Sequence, residues 1–181
     1  MKKSSPQLVY KELLKNETVA LVMEHELRGV TSEMLDWWWD NLDNDNYKLW
    51  HPQDHIALGW QIPPTQVGHV GAIHMACEKI ADEPAQILRI RWEGREAAPI
   101  STIYSHVNVG SSLAPGRDDI PMASVVHEYE ETSYGARMRS TFTLPAFAPQ
   151  EFENNLRKHN IAEMGRFPEF LPDLYRQKTG K

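Results

Sequence analysis

Glu151-Phe152-Glu153-Asn154-Asn155-Leu156-Arg157-Lys158-His159-Asn160-Ile161-Ala162-Glu163 holds neither glycine nor proline and reads as a long helix near the C-terminus. At about 100° per residue, Phe152, Leu156, His159, Glu163 and Phe167 fall on one stripe. The phenylalanines and the leucine turn that stripe toward the core, so an imidazole and a carboxylate point inward one turn apart. Burying a carboxylate is costly unless it is paired or bound to a metal. His159 and Glu163, four apart, can share one ion, as the two histidines of an HExxH zinc helix do. Taken alone, the pair reads first as a buried His–Glu hydrogen bond and second as half of a metal site.

The segments before this helix read as a sheet. Residues 123–131 and 137–144 predict a hairpin around Ser133-Tyr134-Gly135, and Pro145 and Pro149 end it. Further strands are expected over 19–27, closed by Gly29, over the alternating run that starts at Val67, over 87–92 and over 101–109. A Gly-, Pro- and Asp-rich loop is expected over 110–121. Thr31 or Ser32 caps a helix through Leu42 that carries Trp37-Trp38-Trp39. Asp43-Asn44-Asp45-Asn46 reads as a stop. Residues 47–55 read as a turn into a short helix or loop, residues 62–64 break regular structure, and 1–16 read as a flexible or helical tail. The order is α+β: a curved antiparallel sheet wrapped around a long C-terminal helix, in one domain over residues 1–181. Such a fold encloses a cavity between helix and sheet, lined by the inward stripe, and a cavity there makes the His–Glu pair a candidate site.

Composition narrows the function. The chain has 181 residues, 41% hydrophobic and 24% charged, which suits a soluble domain with a sizeable core. A net charge of −6 argues against nucleic acid or an anionic membrane as partner, since both select clustered Lys and Arg. Cys77 is the only cysteine, so no intrachain disulfide forms, which fits a reducing, cytoplasmic setting. The first residues are basic without an apolar run behind them, so no signal peptide is expected, and no stretch has transmembrane length. Six tryptophans point to a wide aromatic interior or a pocket for a flat ligand.

Several other residues carry chemical potential. His51 and His55 flank Pro52 and Asp54; were the segment helical after Pro52, His55 would face the cavity and His51 would serve as a loop or capping residue. Glu78 shares a strand face with Ala72, His74 and Ala76, whose small members leave room for a ligand; its other reading is an exposed strand end. His127, Tyr129 and Glu131 share parity with Val125 and form the better inward face, which leaves Glu128 and Glu130 on the solvated one. His127 is a candidate general acid or base. No G-x-S-x-G elbow, P-loop or G-x-G-x-x-G is present, and Cys77 lies in an apolar strand where a thiol is inert.

Taken in order, Tyr47-Lys48-Leu49-Trp50-His51-Pro52-Gln53-Asp54-His55, the strand Glu78, Val126-His127-Glu128-Tyr129-Glu130, the run from Gly135 to Phe142, and His159 through Pro172 resemble the diacetylphloroglucinol hydrolase family, which includes phloretin hydrolase. The likeness runs from about Met34 to Tyr175. It implies a helix-grip fold similar to the plant pathogenesis-related (Bet v 1) and START proteins. It also implies one zinc ion per chain and hydrolysis of a carbon–carbon bond between an acyl group and a phenolic ring. By motif the zinc ligands would be His55, Glu78, His159 and Glu163, with Glu83 the alternative to Glu78. Tyr47 would contact a substrate hydroxyl and His127 would lie beside the substrate. Trp50 would supply an apolar wall. Leu58 and Phe142 fall where the family carries polar substrate contacts, a departure that leaves the ring pattern of the expected small aromatic ketone substrate open. The resemblance leaves a homodimer open. Two other functions compete: a non-catalytic helix-grip binder of a hydrophobic aromatic ligand, and a non-haem iron enzyme using the same ligands.

Overall fold

The computed structural model describes residues 7–13, 16–116 and 119–181, with side chains from residue 18 onward. Its strands are β1 (Gln7–Leu13), β2 (Asn16–Arg28), β3 (His55–Ile62), β4 (Ile73–Glu78), β5 (Gln86–Glu93), β6 (His106–Leu113), β7 (Pro121–Thr132) and β8 (Gly135–Pro145). The helices are α1 (Ser32–Asp40), α2 (Asn44–Trp50), the short α3 (Pro64–Val67) and α4 (Gln150–Thr179). The strands form one antiparallel sheet in the order β1-β2-β8-β7-β6-β5-β4-β3. Chain neighbours pair except where β2 joins β8, and the α1–α2 excursion carries the chain from β2 to the far edge.

The hairpin of β7 and β8 turns where expected. Gly135 takes φ +136°, and a Cβ there would come within 2.3 Å of the Leu27 carbonyl. A glycine is therefore required where β8 begins beside the end of β2. Helix α1 is capped by Thr31, whose hydroxyl accepts from the Met34 N–H at 3.2 Å. The inward stripe of α4 is buried at Leu156, His159, Glu163 and Phe167 and half-buried at Phe152. Helix α4 continues through Pro168 and Pro172 for 30 residues in all. Each internal proline disfavours helix by about 3 kcal/mol. Burial of Phe167, Leu171 and Tyr175 along the same stripe offsets that cost.

Five expectations are corrected. Residues 7–13 of the expected tail form an edge strand paired with β2, and Asn16 begins β2; the rest of that tail lies outside the described residues. Asp43-Asn44-Asp45-Asn46 does not only stop α1 but starts α2, because Asp43 and Asn46 form a reciprocal capping box. No helix follows Pro52: residues 52–54 turn and His55 opens β3. The strand expected at 101–109 begins only at His106 and runs to Leu113, inside the expected loop. Residues 101–105 cross the outer face of β7 instead. Glu128, expected on a solvated face, is 0% exposed because it accepts from the Ile103 and Tyr104 N–H groups at 2.5 and 2.8 Å and from Arg139 at 2.7 Å. Three donors meet the cost of burying that carboxylate.

The core divides at the grip. One cluster gathers Trp38, Trp39, Trp50, Phe167 and Leu171 from α1, α2 and the second half of α4; the other gathers Val19, Leu21, Met23, Leu144 and Leu156 at the opposite end. Trp38 meets Trp50, Phe167 and Phe170 edge-on at 5.2–5.6 Å. Between the clusters the sheet approaches itself closely at Gly110, where an added Cβ would lie 2.9–3.0 Å from Ile90, Trp92 and Val125 side-chain atoms.

Candidate metal centre

A cavity of about 280 Å³ opens between α4 and the sheet. Its walls include Trp39, Trp50, Trp92, Val125, Phe142 and Leu156, and its polar positions include Tyr47, His74, Glu78, His127, His159 and Glu163. Leu58 is not among the lining residues. It is buried in the tryptophan cluster, so a substrate contact there is corrected to a packing role.

His55, Glu78, His159 and Glu163 reach one point from three elements. His55 Nε2 lies 3.6 Å from Glu78 Oε2 and 3.7 Å from Glu163 Oε2. His159 Nε2 lies 3.6 Å from Glu163 Oε2 and 4.0 Å from Glu78 Oε1. The pairing of β3 with β4 sets His55 beside Glu78, one turn of α4 sets His159 beside Glu163, and the other two approaches run between sheet and helix. Glu83 takes no part; it accepts from Asn155 at 2.9 Å.

Both imidazoles are oriented from behind. His55 Nδ1 is 2.9 Å from the Tyr47 carbonyl oxygen, and His159 Nδ1 is 2.9 Å from Asp54 Oδ2. Each Nδ1 therefore donates, and each Nε2 is left with its lone pair toward the carboxylates, the tautomer a metal ligand needs. His55 Nε2 is buried and has no hydrogen-bond partner among the described residues. Asn160 donates to Glu163 Oε1 at 3.0 Å, and the Tyr47 hydroxyl donates to Glu78 Oε2. The Tyr47 ring also stacks on His55 at 3.9 Å. His51, at the C-terminal end of α2, stacks on His159 at 4.8 Å and accepts from the Asp54 N–H.

The electrostatics suit a bound cation. Burial pushes Glu163 up to about 7, and the neighbouring Glu78 adds to that. Burial likewise raises Glu78, tempered by His159 and Tyr47. Burial drives His55 down to about 2, a neutral imidazole. For His159, burial opposes the charge but Glu163, Glu78 and Asp54 outweigh it and raise the pKa. Two carboxylates held against one another in a dry site are unfavourable unless a positive charge sits between them. Buried histidine and carboxylate groups close enough to hold a metal recur here as His55–His159–Glu163 and as His51–Asp54–His159. The donor set of two imidazole nitrogens and two carboxylates matches zinc chemistry.

His127 stands elsewhere on the cavity wall. It stacks on Trp39 at 5.1 Å and 3°, meets Phe142 edge-on at 6.2 Å, and its Nδ1 is 2.9 Å from Ser140 Oγ. Burial lowers it to about 3, so it is neutral at pH 7.

Asp54 and Asn160 were not assigned roles from sequence. Asn160 stands three before Glu163 on one helix, a spacing that brings side chains together. Asp54 has no such local signal, since its partner lies on α4.

The family model described as DAPG hydrolase PhiG domain matches residues 10–146. Phloretin hydrolase of Eubacterium ramulus is 25% identical over 83% of this chain and 65% of its own length. The 2,4-diacetylphloroglucinol hydrolase of a Pseudomonas species is 21% identical over 82% of this chain and 64% of its own length. The chain thus spans a little under two thirds of these relatives. Among solved structures, Ara h 8.0201 superposes with a TM-score of 0.60 at 9% identity, covering 85% of this chain and 97% of that one. Human STARD10 superposes at 0.50 and 10% identity, covering 96% and 76%. The fold is the helix-grip of the Bet v 1 and START proteins. No helix among the described residues is long and apolar enough to cross a membrane.

Proposed function

The chain belongs to the DAPG hydrolase PhiG domain family, and from that premise we propose that it is a zinc-dependent hydrolase that cleaves the carbon–carbon bond between an acyl group and a phenolic ring, releasing a carboxylic acid. The observation that carries this reading is the convergence of two oriented Nε2 atoms and two carboxylates beside a largely apolar cavity. His55, Glu78, His159 and Glu163 would hold one ion per chain. A zinc ion bound there supplies a Lewis acid for the acyl carbonyl and a lower pKa for water.

An aryl carbanion is too unstable to leave, so the ring must first take its keto form, with a proton added at the carbon that bears the acyl group. The bond is then that of a β-diketone. Water adds to the acyl carbonyl, the carbon–carbon bond breaks, and its electron pair enters the ring as an enolate, in effect a phenolate. His127, neutral and held through Nδ1 by Ser140, takes the proton of a ring hydroxyl and returns it at the ring carbon. Tyr47 has its proton committed to Glu78, so it fixes that carboxylate and meets a substrate hydroxyl only as an acceptor. Trp50 and Phe142 supply the apolar walls.

Metal analysis of the purified protein, followed by assay of carboxylate release from acylated phenols, tests the proposal. Stoichiometric zinc, with release abolished in His159→Ala and Glu163→Ala, is the expected result. Full activity in metal-free protein overturns it. Tight aromatic binding without turnover after zinc is added would identify a carrier instead, and dependence on Fe(II) and O₂ an oxygenase.

A further inference from the structure

The hydrolase reading uses every ionisable group on the cavity wall except His74. This imidazole is only 5% exposed and lines the cavity, yet its Nδ1 is buried with no hydrogen-bond partner among the described residues. Buried side-chain polar groups in folded proteins are almost always paired, so an unpaired one calls for an explanation.

Packing does not supply it. His74 pairs with Trp60 and Ile90 across β3, β4 and β5. Its ring meets Trp60 edge-on at 5.7 Å and Trp92 at 5.1 Å and 68°. Trp60 is itself anchored, its indole N–H donating to the Leu42 carbonyl at 2.9 Å. The imidazole is thus held between two indoles in a place that a phenyl ring would fill at no polar cost. Beside it the Trp92 indole nitrogen is also buried and without a partner among the described residues.

We propose that His74 is a specificity-determining residue that hydrogen-bonds a second oxygen of the substrate, a hydroxyl on the side of the ring remote from the acyl group. The position on β4 sets that remoteness. His74 and Glu78 share one face four residues apart, about 13 Å at roughly 3.3 Å per residue. A ligand whose acyl oxygen reaches the metal centre therefore presents its far edge, not its ortho position, to His74. Burial lowers the His74 pKa to about 3, so the ring is neutral and offers one donor and one acceptor. A hydroxyl can meet the ring nitrogen that faces the cavity in either role, donating to its lone pair or accepting from its N–H. The assignment rests on the hydrolase reading for its orientation but not for its chemistry.

Equilibrium binding of two small ketones to the zinc-loaded protein tests it, read by tryptophan fluorescence or calorimetry. The probes are 2,4-dihydroxyacetophenone and 2-hydroxyacetophenone, which differ only in the hydroxyl opposite the acyl group. Wild type is expected to prefer the dihydroxy compound by about 5-fold or more, the range for a hydrogen bond that satisfies a buried group. His74→Phe and His74→Met, both apolar and of fitting volume, should equalise the two affinities while leaving that of 2-hydroxyacetophenone unchanged; either variant suffices if the other does not fold. His74→Gln should keep part of the preference. An undiminished preference in the folded Phe or Met variant, or none in wild type, overturns the proposal. Because binding needs no turnover, absence of carboxylate release would count against the hydrolase reading alone, and loss of the hydroxyl preference would still report on His74.

Discussion

The wall built from β3, β4 and the middle of α4 is held by directional bonds. Asp54 braces His159, the Tyr47 carbonyl braces His55, and Asn160 braces Glu163. The cluster of α1, α2 and the second half of α4 is held differently. There Trp38 and Trp50 keep indole nitrogens with no partner among the described residues and are fixed by ring edges 5.2–5.6 Å away. Directional bonds orient lone pairs, which a metal requires. Ring packing is far less directional and supplies burial, on which stability depends. The two regions should therefore fail separately when damaged.

The largest separation is expected at the ligands. His159→Ala or Glu163→Ala should lower zinc affinity by more than about 100-fold, beyond the range of changes made behind a ligand. Metal content by mass spectrometry and carboxylate release check this, and a zinc-replete Glu163→Ala would break the comparison. Next, Trp38→Ala should cost about 3–5 kcal/mol in denaturant unfolding, because the side chain is fully buried. Its folded fraction should still bind one zinc per chain. Asp54→Asn keeps the shape but weakens the acceptor on His159 Nδ1. Chelator competition should show zinc affinity lowered by about 10–100-fold.

The smallest effect concerns pH in metal-free protein. Burial lowers His25 to about 4 and His74 and His127 to about 3. The unfolded chain takes up protons at these residues as pH falls through about 6.5, while the folded chain does not. Their contribution is complete above that pH and is lost as pH falls toward 4. Glu163, raised to about 7, and Glu78, also raised, act in the opposite sense, while His55, lowered to about 2, adds a further proton on the side of the imidazoles. Denaturant unfolding should show stability falling between pH 6.5 and 5 by on the order of 1–3 kcal/mol per unit. A rise over that window would show that the carboxylates, not the imidazoles, dominate the interior.

What could be read from sequence divides along similar lines. The α4 stripe and the β7–β8 hairpin were legible because their signals are local: apolar spacing on one helix, a glycine between two alternating runs. The helix α2 was missed because Asp43 serves two elements at once, ending one and capping the next. The sequence leaves residues 47–55 as a short helix or loop and turns His55 inward only in the helical case, whereas His55 reaches the metal centre from the head of a strand. Glu128 could not be recognised as buried, because its partners at 103, 104 and 139 come from a crossing segment and a neighbouring strand. Strand parity with Ala72, His74 and Ala76 singles out Glu78, while the resemblance leaves Glu83 as an alternative; the register of β3 on β4, which sets Glu78 opposite His55, cannot be read from the chain.

The bare α-carbon of Gly110 has a bearing on which molecules this protein can accept. Residues 90, 92 and 125, which crowd the place a methyl would occupy there, are all part of the cavity lining. The lack of a side chain at 110 thus lets these three lining residues stand where they do. Alanine at 110 would lift three walls at once and shrink the chamber without touching any ligand or hydrogen bond in it. The width of acceptable rings is, in this sense, recorded in the backbone rather than in the residues that would meet the substrate.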